Sequence, residues 1–153
     1  MFGITSLLLL IAASSFVSCG QPNKVDIAFY CPIPYAQFTV QLWESDTFSP
    51  DDMLSEKRTY RFRRPDQKVE YASFSVTMDG DEAFAYTYRF YVTVSHNCVK
   101  GGNKVLNAKL HLEYSCFVSS PHCNYKLNVN LNNLEGTRTI YPEDDVWIRS
   151  TGK

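Results

Sequence analysis

The 153-residue sequence lacks most of the features that would assign it a chemistry. Charge of one sign is missing: 15 Lys and Arg stand against 16 Asp and Glu, a formal net charge of −1, so no overall field draws the chain to nucleic acid or to an anionic membrane. There is no CxxC pair, which removes the usual zinc spacing even though His96 and His122 lie near cysteines. No nucleophile motif occurs, no Asn-x-Ser/Thr sequon, no internal repeat, no low-complexity linker and no convincing amphipathic helix. Beyond the first twenty residues no apolar run is long enough to cross a bilayer. What remains, with 44% hydrophobic residues, is one domain's worth of globular chain with a core of its own and no expected cofactor.

The one long apolar run is at the start. Residues 1–20, MFGITSLLLLIAASSFVSCG, are too short to span a bilayer and end in small residues, the layout of a secretory signal peptide, although no Lys or Arg precedes the run. A lipoprotein acylated at Cys19 competes with this reading, but Phe16-Val17-Ser18 fits its leucine-led box poorly. The expected mature protein, residues 21–153, is a single exported, extracellular domain without a membrane span.

Removing Cys19 leaves Cys31, Cys98, Cys116 and Cys123, an even number in an exported chain, hence two disulfides. Three pairings are possible. Cys116 and Cys123 flank a short turn between two strand-like runs, so joining them clips a hairpin and leaves Cys31 for Cys98. On the chain-entropy model the long loop contributes about 4 kcal/mol and the clip about 2.5 kcal/mol.

The rest of the sequence alternates with period two. Over 84–98, FAYTYRFYVTVSHNC, the even positions Phe84, Tyr86, Tyr88, Phe90, Val92 and Val94 are apolar or aromatic and the odd ones mostly small or polar, which predicts a half-buried central strand. The same period predicts strands at 25–30, 37–43, 57–64, 69–78, 104–114 and 125–131, with a short last one at 139–141. Prolines 32 and 34 break the chain after the first strand, Asp79-Gly80 and Gly101-Gly102 mark turns, and the acidic stretch 142–147 has no assigned element. The acidic loop 44–52 lacks the spacing and central glycine of a calcium loop and reads as a solvated turn. Seven or eight strands with no helix predict an all-β, antiparallel two-sheet sandwich stapled by disulfides.

One charge cluster stands out. Between residues 56 and 68 six basic side chains face two acidic ones, among them Arg58, Arg61, Arg63 and Arg64. If 57–64 is one strand, Tyr60 and Phe62 face one way and Arg61 and Arg63 the other, a guanidinium stripe. Such a stripe serves either as edge protection against sheet-to-sheet aggregation or as an anion site for lipid headgroups or sulfated glycans.

Three blocks, Val40-Gln41-Leu42-Trp43-Glu44-Ser45-Asp46-Thr47, Pro50-Asp51-Asp52-Met53-Leu54 and Val92-Thr93-Val94-Ser95-His96-Asn97-Cys98, resemble the nematode transthyretin-like family in order and spacing, with Cys31 at the place of that family's early cysteine. The resemblance covers residue 25 to about residue 123. Asn97 stands where the family has aspartate, Phe90 where a proline is usual and Ser73 where a glycine is expected. The resemblance implies a secreted, transthyretin-like β-sandwich and supports the Cys31–Cys98 bridge; the family's general expectation is binding at extracellular surfaces or of hydrophobic small molecules.

The functional expectation is therefore a secreted, non-enzymatic binding protein that engages a hydrophobic or lipid ligand or a cell-surface partner. The alternative is a structural or effector protein acting by protein contact. A hydrolase on this scaffold is disfavoured: the related hydroxyisourate hydrolases carry a Tyr-Arg-Gly-Ser terminus, whereas this chain ends Arg149-Ser150-Thr151-Gly152-Lys153. His96 reads as a cap at a strand end beside a disulfide rather than as an acid–base group, and His111 as an outward residue. Tyr88 and Tyr91, on opposite faces, support binding only if they are not both buried. An uncovered edge strand leaves a homo-oligomer open.

Overall fold

The computed structural model describes residues 22–47, 49–77, 87–101, 104–113, 116–117 and 123–142. The leader, the Asp79-Gly80 turn, Phe84–Tyr86 of the expected central strand, His122 with its turn, and the stretch 143–153 lie outside the described residues. Eleven strands occur among the described residues and no helix: β1 Asn23–Tyr30, β2 Gln37–Glu44, β3 Asp52–Met53, β4 Arg58–Arg61, β5 Val69–Val76, β6 Thr87–Tyr88, β7 Phe90–His96, β8 Leu106–Leu112, β9 Cys116–Phe117, β10 Asn124–Asn130 and β11 Gly136–Ile140. Eight of them are four residues or longer.

They form two main sheets. The smaller has the order β10-β1-β5; the larger runs β11-β8-β7-β2, with β3 and β4 side by side along the far edge of β2. A separate two-stranded piece joins β6 to β9. The two-layer all-β sandwich expected from the alternation is present. Its sheets are mixed, however: β1 pairs with β10 and β8 with β11 in parallel, and the other six pairings are antiparallel. Parallel neighbours require the chain to cross between layers before it returns, which alternation within one strand does not reveal.

The inner faces close on one core. Val25, Ile27 and Phe29 of β1, Ala72 and Phe74 of β5 and Leu127 of β10 are nearly or fully buried. They meet Phe38, Val40 and Leu42 of β2, Phe90, Val92 and Val94 of β7 and Leu110 of β8. Phe29 and Phe38 touch with ring centroids 4.5 Å apart, and Phe90 stands edge-on to Tyr125 at 5.7 Å. Each buried Phe, Leu or Val stabilises the fold by roughly 1.5–3 kcal/mol before chain entropy is subtracted.

The stretch 84–98 does not form one strand. Arg89 interrupts it: Tyr88 leaves to pair with Cys116, while β7 begins at Phe90 between β2 and β8. The basic stretch likewise ends early. β4 stops at Arg61, and Pro65, which has no N–H for a ladder, sits in the turn that follows. Both disulfides are formed. Cys31–Cys98 joins the end of β1 in one layer to the end of β7 in the other, across a sequence separation of 67; Cys116–Cys123 closes a separation of 7.

Candidate functional site

The outer face of the larger sheet is a grid set by register. Thr59, Thr39, Ser95 and Asn107 make one row across β4, β2, β7 and β8. The next holds Gln41, Thr93, Lys109 and Thr137, and a third holds Met53, Trp43, Tyr91, His111 and Thr139. Apart from Lys109, the first two rows are short hydroxyl and amide side chains, so between taller neighbours they leave an open trough of about 640 Å³, which Lys57 also borders. Some of its groups are engaged: Thr39 Oγ1 and Thr59 Oγ1 are 2.8 Å apart, and Gln41 Nε2 donates to the Ser55 carbonyl at 3.0 Å. No side-chain hydrogen bond of Ser95, Asn107 or Thr137 is seen among the described residues, so these present unused donors and acceptors to the trough.

The third row is a fixed aromatic and ionic cluster. Trp43 and Tyr91 lie parallel at 6.0 Å, and Tyr91 meets His111 at 5.4 Å. Lys109 Nζ sits 3.7 Å from the Tyr91 ring centroid and 3.6 Å from Asp51 Oδ2. Tyr91 donates its hydroxyl to Asp51 Oδ2 at 2.8 Å, and Trp43 Nε1 donates to Thr93 Oγ1 at 3.2 Å. Burial, and then the Asp51 carboxylate, push the Tyr91 phenol up to about 12. The Tyr91 hydrogen bond holds Asp51 below its ordinary value against the opposing effect of burial, with help from the Asp46 N–H and Lys109. His111 is lowered by burial and by Lys109, against the pull of Asp51. At neutral pH Tyr91 is therefore a phenol, Asp51 a carboxylate and His111 a neutral imidazole, a rigid set of hydrogen-bonding groups.

The arginines do not form a stripe. Arg58 is on the inner side of β4, stacked 5.2 Å from the Phe74 ring and donating through Nη1 to the Ser73 carbonyl at 2.7 Å, so it closes the gap between the sheets. Arg61 is on the outer side, with Nη2 3.3 Å from Gln37 Oε1. Arg63 and Arg64 lie beyond the strand in the exposed turn, which is fixed by Arg63 N donating to Gln67 Oε1 and Gln67 N to the Arg64 carbonyl.

His96 is 1% exposed, with Nδ1 accepting from Cys98 N–H at 3.2 Å and Nε2 therefore donating to the Leu134 carbonyl at 2.8 Å. Both ring nitrogens are used for structure, and burial lowers its pKa. His111 is outward, as its position in the alternation requires. Tyr88 and Tyr91 are both buried, at 9% and 5% exposure, so neither supports binding as an exposed ring. Among the described residues no three His, Cys, Asp or Glu side chains gather into a metal-binding group, and no helix is long and apolar enough to cross a membrane.

Sequence reasoning missed the third row. Its signal was present: Trp43 and Tyr91 are the large aromatic residues at odd positions on faces otherwise made of small polar ones. No curated protein and no solved structure matches the chain. A family model matches residues 26–141, and the chain belongs to that family, described as Caenorhabditis elegans protein of unknown function (DUF870).

Proposed function

We propose that this chain is an exported, non-enzymatic binding domain that meets a cell-surface partner on the outer face of its larger sheet. The observation that carries the reading is the contrast between a filled interior and that open face. Phenylalanines 29, 38, 62, 74 and 90 occupy the space between the sheets at 1% exposure or less, while Ser95, Asn107 and Thr137 offer unused polar groups beside a rigid aromatic row. Surface contact therefore suits the molecule better than carriage of a hydrophobic ligand between the sheets. Two disulfides are compatible with the oxidising compartment that the leader sequence implies.

The transthyretin-like resemblance belongs to the same proposal. Its three sequence blocks fall on β2, on β3 with the turn before it, and on β7, and β2 pairs with both of the others, so the resemblance follows one contiguous unit of the larger sheet. Asn97, in place of the family's aspartate, accepts from Gln37 N–H through Oδ1 at 2.7 Å and holds the start of β2.

The test is retention on intact nematode cells with the disulfide-bonded protein, together with mass spectrometry of the undenatured protein. Ser95→Arg with Asn107→Arg is expected to abolish retention and leave the melting temperature unchanged, and the native mass is expected to equal that of the empty chain. A co-purifying lipid, or retention unchanged by the double variant, overturns the reading.

A further inference from the structure

Charge is segregated along the strand axis. The end of the sandwich tied by Cys31–Cys98 gathers residues 31–36, 62–68, 97–101, 104–105 and 131–135. It carries Arg61, Arg63, Arg64, Lys68, Lys100 and Lys104 against Asp66, Glu70 and Glu135. The opposite end of the larger sheet carries Glu44, Asp46, Asp51, Asp52 and Glu113 against Arg89 and Lys109, the latter 3.6 Å from Asp51. A net charge of −1 conceals this separation.

The cations at the basic end differ in how far they are committed. Lys68 Nζ donates to the Pro32 and Pro65 carbonyls, Lys104 pairs with Glu135 at 3.7 Å, and Arg61 binds Gln37. Arg63, Arg64 and Lys100 are exposed, and no ion pair or side-chain hydrogen bond of theirs is seen among the described residues.

Apolar side chains share this end: Tyr35 is 58% exposed and Val105 60%. Tyr35 also has φ of 58°, a left-handed conformation that is strained for a bulky L-residue and that glycine or asparagine would occupy more easily. The fold gains little packing from so exposed a ring. The neighbouring backbone is held: Phe62 N donates to the Ala36 carbonyl at 2.9 Å, which ties the turn carrying Tyr35 to the segment that leads into Arg63 and Arg64.

We propose that this end docks on anionic phospholipid bilayers, with Tyr35 and Val105 entering the headgroup layer and Arg63, Arg64 and Lys100 pairing with lipid phosphates and carboxylates. Three observations favour a bilayer over a linear polyanion. The arginines lie on different faces and in a turn, giving a polymer no track; apolar residues are mixed among the cations; and tyrosine, a ring with a polar tip, suits the boundary between water and hydrocarbon. The acidic far end is repelled by the same membrane, which fixes the orientation of docking.

The experiment is co-sedimentation of the disulfide-bonded protein with phosphatidylcholine vesicles with and without about 30% phosphatidylserine. Binding is expected only with phosphatidylserine and is expected to weaken sharply in about 0.5 M salt, where the screening length falls to about 4 Å. Arg63→Glu with Arg64→Glu is expected to reduce it roughly tenfold or more. Tyr35→Gly separates function from folding: it relieves the left-handed strain, so the melting temperature holds or rises while vesicle binding drops. Lys100→Glu gives an independent loss in a different loop should the arginine variant melt early. Absence of binding to phosphatidylserine vesicles, equal binding to phosphatidylcholine alone, wild-type binding by Tyr35→Gly, or retention on heparin with none on vesicles overturns the proposal.

Discussion

Tyr71, on the outer face of the smaller sheet, is 69% exposed, whereas Tyr91, on the outer face of the larger one, is 5% exposed. Both project outward from strands of the same sandwich. The difference comes from what lies over them. Across the smaller sheet Tyr71 stands opposite Ala28, with nothing taller beside it in its row. Tyr91 is enclosed by Trp43, His111, Lys109 and the Asp51 carboxylate delivered by the loop after β2. One outward face is a solvated surface and the other carries a second, polar layer of organisation. The burial patterns record this directly: β10 alternates without exception, but β7 is half-buried or buried at every position.

The largest expected effect would break the contrast by separating the layers. Replacing Cys31 and Cys98 by serine is expected to cost about 4 kcal/mol in chemical denaturation, against about 2.5 kcal/mol for Cys116 and Cys123, because the first bridge closes the longer loop. Equal losses would show that the sheets are held together independently of that tie.

A pH series comes next. His96 is depressed below its ordinary value of 6.5, chiefly by burial. The folded state then binds fewer protons than the unfolded one once pH falls below that value. Stability is accordingly level above about pH 6.5 and declines beneath it, down to the folded-state pKa. His111 adds in the same direction. Denaturation midpoints measured for wild type and His96→Gln check this: the variant starts less stable, having lost at least one of two buried hydrogen bonds, and shows a shallower acid decline.

Tyr91→Phe against Tyr71→Phe sharpens the comparison itself. The first removes a hydrogen bond to a carboxylate and is expected to cost about 1.5–3 kcal/mol; the second is expected to stay within about 0.5 kcal/mol. The smallest effect is spectroscopic. In an alkaline absorbance titration Tyr91 is expected to ionise late, near pH 12, with the buried Tyr125 later still, and Asp51→Asn is expected to bring the Tyr91 step earlier and leave Tyr125 in place.

The layered arrangement was legible because β1, β5, β8 and β10 bury alternate residues, and period two is a local property. The disulfide pairing was legible for a similar reason, since one pair brackets a turn. The Tyr91 cluster was not, because it needs the register of β2, β7 and β8 and the fold-back of Asp51, all relations between distant residues. The arginine geometry failed at one residue. Treating 57–64 as continuous strand placed Arg61 and Arg63 on one face, but β4 ends at Arg61, and Arg58 turns inward to cover Phe74.

The place of β1 has a consequence for how the molecule is made. The first strand to emerge during synthesis ends in the middle of a sheet, and its parallel partner runs from Lys24↔Asn124 to Tyr30↔Asn130, about a hundred residues later. That sheet cannot close until nearly the whole chain has been delivered, so folding is expected to be slow and to finish only once synthesis is nearly complete. A chain cut short before β10 would expose a bare central edge, a ready template for aggregation with other unfinished chains.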